Sequence, residues 1–220
     1  MIKARLLFKK EGRAKYISHL DLMHTMQRAF VRAGIPIRHT EGFNPHPYMS
    51  ILLPLSVGCE SRCEMLDFDL EDDALLDRVP ELLTRALPEG LTAVKAYPRL
   101  TKGAMLKWLE ITGTLTYDHG GADKLIVQLS NLFASREIVV TKRTKRGEAE
   151  LDLVPNIRRI AFSSHSDRTV ELTAVISAQD PSINPDSLVA AIAKYLPDCK
   201  PDFAEFTRIE VYNSDLGVFR

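Results

Sequence analysis

Cysteine is scarce: Cys59, Cys63 and Cys199 are the only three in 220 residues. So small and odd a number excludes a disulfide framework and points to a reducing compartment. Long apolar runs are missing too. Nothing approaches the roughly 20 residues that span a bilayer, which excludes a transmembrane helix. The opening "MIKARLLFKKEG" carries charges through its only apolar cluster, so no signal peptide and a cytoplasmic location are expected. Net charge is also absent, with 29 Lys and Arg against 29 Asp and Glu. Overall composition therefore gives no argument for nucleic acid or membrane.

That balance hides an uneven distribution. Residues 1–40 hold nine Lys or Arg against two acids, and residues 60–89 hold ten acids against three Lys or Arg. Either the two segments neutralise each other in the fold, or a basic surface for phosphates stands apart from an acidic one. With 45% apolar and 26% charged residues the chain has the composition of a globular protein of one large or two small domains.

Periodicity divides the chain. "IKARLLFKK" (residues 2–10) reads as a strand, and "GRAKYI" carries the chain to Ser18. A helix starts there: Ser18 and Asp21 form a capping-box-like S-x-x-D, and Ile17 and Leu22 stand at the spacing of a hydrophobic staple. Leu22, Met26, Ala29, Phe30 and Ala33 recur at helical spacing until Gly34 and Pro36 end the helix. "IPIRHT" and "MSILLPL" read as short strands, and "CEMLDFDLE" as a half-exposed strand alternating apolar with acidic side chains. Residues 72–88 fit a second helix that Pro80 kinks or divides, and "LTAVKAYP" is a closing strand. The order β-α-β-β-α-β, with or without one extra strand, is the ferredoxin-like arrangement.

"PRLTKGAM" (residues 98–105) reads as a linker, after which the same order restarts. "LKWLEITGTLTYD" is a strand, "GADKLIVQLSNLFAS" a helix, and "REIVVTKRT", "EAELDLVP", "IRRIAFSSHS" and "RTVELTAVISA" are strands. "NPDSLVAAIAKYLP" is a helix with Asn184 as cap and Pro185 at its first position, and "FAEFTRIEVY" is the last strand. The expectation is an α+β protein of two tandem ferredoxin-like domains with extra strands, residues 1–99 and 106–220.

Candidate functional residues concentrate at three places. In "EGFNPHPYMS" (residues 41–50), Gly42, Pro45 and Pro47 restrict the backbone around Asn44 and His46. The segment is either a structural turn in which His46 caps a backbone group, or a presented binding element. His19, in the first turn of the opening helix, and Asp21 beside it would share a polar pocket with Asn44 and His46. His24, Arg28 and Arg32 lie four residues apart on that helix and form either a solvated face or a phosphate-contacting ridge. In "TKRTKRGE", Lys142, Arg143, Lys145 and Arg146 precede a turn at Gly147. They are either edge protection or contacts to an RNA backbone.

Cys59 and Cys63 form C-x3-C, but residue 66, where the C-x3-C-x2-C of radical S-adenosylmethionine (radical SAM) enzymes has its third thiolate, is leucine. Three thiolates are needed to hold that cluster, so the two cysteines read as small buried side chains at a strand start. No metal site is expected.

The run from Lys15 to Glu71, with "ISHLDL", "EGFNPHP" and "LPLSVG" intact, resembles the radical-SAM-associated domain of unknown function, encoded in bacteria beside or fused behind a radical SAM protein. The resemblance brings no activity. It implies a partner, a radical SAM protein carrying the iron-sulfur cluster and S-adenosylmethionine, while this chain binds no cofactor. Tandem ferredoxin-like domains also resemble the repeat-associated proteins that process CRISPR RNA, an analogy of architecture that makes RNA a candidate ligand. The expected function is that of a non-catalytic accessory protein presenting RNA, or an RNA-containing substrate, to the partner. The alternative is a metal-independent nuclease or hydrolase using His19 and His46 as acid and base, with a variant in which they bind a metal together with Glu60 or Asp21.

Overall fold

The computed structural model describes residues 1–144 and 147–220 of the chain, which divides into two compact units. Met1–Met105 with Phe219–Arg220 form the first unit, and Leu106–Val218 the second. Among the described residues no helix is long and apolar enough to cross a membrane.

In the first unit, β1 (Ile2–Lys10) is followed by a 3-10 turn at Gly12–Tyr16 and α1 (His19–Arg32). Then come β2 (Met49–Ile51), β3 (Glu60–Leu70), a 3-10 turn at Asp73–Arg78, α2 (Val79–Ala86) and β4 (Leu91–Pro98). The strands lie in the order β4-β1-β3-β2 and every pairing is antiparallel. Side chains alternate across a strand, so Ala4, Leu6 and Phe8 of β1 and Leu66, Phe68 and Leu70 of β3 share one face. Leu22, Met26 and Phe30 of α1 and Val79 and Leu83 of α2 join the same core, where Phe30 meets Phe68 edge-on at 5.0 Å between ring centres.

After β1, "GRAKYI" winds into the 3-10 turn, which buries Ala14 in the core. Two expectations are corrected here. "IPIRHT" forms no strand: Ile37 and His39 make only isolated bridges, to Leu70 and Pro47, because Pro36 lacks the N–H a longer ladder needs. The acidic face of "CEMLDFDLE" is not half-exposed, since Glu64, Asp67 and Asp69 are all buried. The helix over residues 72–88 is divided at Arg78, with Pro80 in the first turn of α2, where a missing N–H costs nothing.

The second unit runs β5 (Trp108–Thr116), α3 (Ala122–Phe133), β6 (Val139–Thr144), β7 (Gly147–Asp152), β8 (Ile157–Ser166), β9 (Thr169–Ser177), α4 (Asp186–Tyr195) and β10 (Phe203–Tyr212). Its sheet has the order β10-β5-β9-β8, again antiparallel throughout, and β6 and β7 pair as a separate two-stranded ribbon. In β5, Leu109, Ile111 and Leu115 are buried, whereas Glu110, Thr112 and Thr114 between them are half-buried. Leu125 and Leu129 of α3 and Leu188 and Ile192 of α4 are buried in turn. The cap of α4 sits one residue later than its sequence suggests: Pro185 takes the cap position, and the Asn184 carboxamide oxygen accepts from the Asp186 N–H at 3.2 Å.

Candidate functional site

The segment from Arg38 to Ser50 is held at both ends and closed on itself. At its base, the Arg38 N–H donates to the Asp69 carbonyl (2.9 Å) and the Tyr48 N–H to the Arg38 carbonyl (2.7 Å). Higher up, the Thr40 N–H donates to the His46 carbonyl (2.9 Å), and the His46 N–H to Thr40 Oγ1 (3.1 Å). Gly42, at φ +131°, makes the reversal within this closed loop, at a backbone angle that side-chain-bearing residues rarely adopt. His46 Nδ1 lies 3.1 Å from Thr40 Oγ1 and 3.3 Å from the Asn44 carbonyl. At the tip Phe43 is wholly exposed, at 111% of its reference area.

Beneath this loop lies a cleft of about 300 Å³ whose lining includes His46, Tyr48, Ser50, Asp67, Asp69 and Arg99. Register explains the grouping. Asp67 stands opposite Arg5 on β1 and Ser50 on β2, so these side chains share the sheet face turned away from α1 and α2, and Asp69 is two residues along on that face. Arg5 grips Asp67 through Nε (2.6 Å) and Nη2 (3.1 Å), and Arg99 Nη1 reaches the same carboxylate at 3.3 Å. Arg5 also donates to the Thr101 hydroxyl (2.7 Å) and carbonyl (3.0 Å), tying down the segment read as a linker. On the rim, the Arg38 guanidinium sits 5.5 Å from the centre of the Tyr48 ring.

The residues singled out from sequence are dispersed. His46 lines the cleft; His19, Asp21 and Asn44 do not. His19 is exposed at the start of α1, where the Asp21 carboxylate takes the Ser18 hydroxyl (2.7 Å) while Ser18 Oγ accepts the Asp21 N–H (3.2 Å). His24 and Arg28 are exposed on α1, but Arg32 donates to the Ala86 carbonyl at 2.7 Å and so caps the end of α2. Lys142 is half-buried and donates to the Ser182 carbonyl at 2.6 Å. Lys145, Arg146 and the side chain of Arg143 lie outside the described residues. Across the ribbon, Arg143 stands opposite Glu148 and Thr141 opposite Glu150.

Sequence reading missed Arg38, Tyr48, Asp69 and Arg99. The alternation of acids in "CEMLDFDLE" was the available signal for Asp67 and Asp69, and it was attributed to solvent. Also missed were Arg158 and Arg159, which line a second cleft of about 390 Å³ in the second unit with Tyr212. Neighbours on a strand normally face opposite ways; a register shift between Ile157 and Arg159 lets both arginines face this cleft. There Arg159 pairs with Glu110 (3.1 Å), and the Tyr212 hydroxyl donates to the same carboxylate (2.6 Å). That hydrogen bond, burial and the charges of Glu110 and Glu210 push the Tyr212 phenol up to about 12, with Arg159 opposing them. Cys59, Cys63 and Cys199 are buried and in no disulfide, and among the described residues no group of three His, Cys, Asp or Glu could hold a metal ion.

Comparison with known proteins places this geometry among others. The chain is similar in fold to a chain in the "Crystal Structure of a Cbf5-Nop10-Gar1 Complex", with a TM-score of 0.53 and 9% identity. The match covers 94% of this chain and 48% of that one, so this chain corresponds to about half of it. No curated protein matches the sequence. A protein-family model, by contrast, matches residues 3–185, which contain the whole 38–50 segment and both clefts' principal arginines. The chain belongs to the family described as "Uncharacterized protein conserved in bacteria (DUF2344)".

Proposed function

We propose that the protein is a non-catalytic accessory component of a radical SAM system, binding RNA or an RNA-containing substrate through the 38–50 segment and presenting it to its partner. The observation that carries the reading is the aromatic and cationic surface of that segment. Arg38 sits 5.5 Å from the Tyr48 ring, beside a loop whose Phe43 is wholly exposed. Single-stranded RNA is bound by stacking its bases on aromatic rings and guanidinium planes, with cations tracking the phosphates. A wholly exposed Phe on a loop closed by Thr40 and His46 suits that use and gains nothing from the core.

The partner rests on the resemblance carried by "ISHLDL", "EGFNPHP" and "LPLSVG". It would supply the iron-sulfur cluster and S-adenosylmethionine, and the pair would work in the cytoplasm. The orders β4-β1-β3-β2 and β10-β5-β9-β8 support reading each unit as ferredoxin-like, with the β6–β7 ribbon inserted in the second. The acid-base alternative draws less support, because the carboxylate of Asp67 in the His46 cleft is committed to Arg5 and Arg99.

The test is a titration of fluorescent single-stranded RNA against wild type, Phe43→Ala and Arg38→Ala. Removing one stacking platform costs about 1–3 kcal/mol, so each variant binds about 5- to 150-fold more weakly. Unchanged affinity in both variants excludes RNA binding at this segment. Turnover by the partner, measured with and without this chain, tests the accessory role.

A further inference from the structure

The cleft under the 38–50 loop contains a buried carboxylate whose hydrogen-bonding capacity is unused. Asp69 has only 5% of its side chain exposed, and it lines the cavity. Its nearest cation is Arg38, whose Nη1 lies 3.9 Å from Oδ2, beyond hydrogen-bonding distance. Lys3, its register partner on β1, is exposed and makes no ion pair with it among the described residues. Asp67, two residues away, accepts three hydrogen bonds from Arg5 and Arg99. A carboxylate offers about four acceptor sites, and beyond the Arg38 contact those of Asp69 are open to donors that enter the cleft.

The surroundings define those donors. The cavity, at about 300 Å³, stands at the lower end of small-molecule sites and takes one compact planar group. Tyr48 is next to Asp69 in the sheet, its carbonyl accepting the Asp69 N–H at 3.4 Å, so an aromatic ring and a carboxylate border the same space. Thr40, Ser50, His46 and Arg99 add hydroxyls, one imidazole and one guanidinium for a sugar and its phosphate.

We infer that this cleft binds a guanine base, its N1–H and N2–H₂ groups donating side by side to the two oxygens of Asp69. Among the common bases only guanine presents two adjacent N–H donors on its Watson–Crick edge. Adenine and cytosine set a ring-nitrogen acceptor beside their amino group, and uracil flanks its single N–H with two carbonyls, so each turns a lone pair toward the carboxylate. This inference rests on the RNA reading for its biological source, which is either a base splayed out of an RNA strand or a free guanine nucleotide.

The experiment measures binding of guanosine, inosine and adenosine 5′-monophosphates to the full chain by calorimetry. Inosine lacks the 2-amino group. The expected order is guanosine over inosine by at least about tenfold, the loss of one hydrogen bond to a charged group, with adenosine weaker still. Asp69→Asn, nearly identical in shape, lowers guanosine monophosphate binding by at least about tenfold and narrows the preference for guanosine over inosine. The ranking on wild-type protein needs no variant, so a poorly folding Asp69→Asn does not rescue the idea. Equal affinity for the three nucleotides, or none for any, overturns it. If mixed-sequence RNA binds without guanine preference, this inference fails and the RNA reading stands. If the guanosine ranking holds while RNA does not bind, the free nucleotide is the ligand and the RNA reading fails.

Discussion

Arg5 on β1 and Asp67 on β3 stand directly opposite one another and meet through two hydrogen bonds of 2.6 and 3.1 Å, with no part of the Arg5 side chain exposed. The guanidinium also lies over the Phe219 ring at 4.9 Å. Removing one partner strands the other charge in the interior, so Arg5→Met loses about 3–5 kcal/mol of stability. The double variant Arg5→Met/Asp67→Leu recovers much of that loss, because neither charge then remains to be desolvated. Urea unfolding of the two single variants and the double variant gives the answer. A single variant as stable as wild type contradicts the account.

Ser18→Ala removes the oxygen that accepts the Asp21 N–H at the start of α1. The expected cost is about 1 kcal/mol. In a chain of this length that lowers the melting temperature by about 2–4 °C, readable by circular dichroism. RNA affinity stays at the wild-type value, because the cap does not line the cleft.

Gly90 has φ +86°, and a Cβ there would run into the Glu11 carbonyl and come within 2.8 Å of the Ala14 Cβ. Strain and collision add, so Gly90→Ala costs about 2 kcal/mol or more. Denaturant titration checks it, and a neutral outcome shows that the Glu11–Ala14 turn can move away.

Two of the tyrosines, Tyr117 and Tyr212, hold their protons more tightly than a free phenol does. Burial, together with the charges of Cys199 and Asp202, pushes Tyr117 up. Tyr212 reaches about 12, chiefly through its hydrogen bond to Glu110. The raised value means that the folded state holds the phenol proton more tightly than the unfolded chain does. The stability it brings is complete below the unfolded value of about 10 and is lost as pH rises from there through about 12. Glu110→Gln brings the Tyr212 transition down in an ultraviolet titration of phenolate absorbance, while the Tyr117 transition stays where it was.

Salt dependence separates bound cations from available ones. Replacing Arg38 by Ala reduces the slope of log affinity against log salt by about 0.7, the contribution of one single-strand phosphate contact. Arg32→Ala and Lys142→Ala leave the slope close to wild type, because those side chains are already spent on the Ala86 and Ser182 carbonyls. Equal reductions in all three variants would mean that RNA is held by diffuse charge and not by the 38–50 segment.

The start of α1 was legible without coordinates. Ser18, the Leu22–Met26–Phe30 stripe and the Gly34–Pro36 stop all act within a turn or two of one helix, and the helix runs His19–Arg32 with Ser18 as its cap. The same holds for the division of residues 72–88 near Pro80, which depends on a missing N–H in the chain itself. Alternation located β3 as well but assigned its acids to water. For Asp67, burial is compensated by Arg5, 62 residues before it, and by Arg99, 32 residues after it.

The sequence by itself thus determined the limits of α1, the break near Pro80 and the stiffened loop around His46, because propensity, capping and proline geometry are properties of adjacent residues. Only the tertiary structure decided which polar groups are spent and which are available. Arg32 and Lys142 are bound to carbonyls 54 and 40 residues away, while Asp69 opens into the cleft. Strand register and packing set those pairings across long separations, and no local period in the chain encodes them.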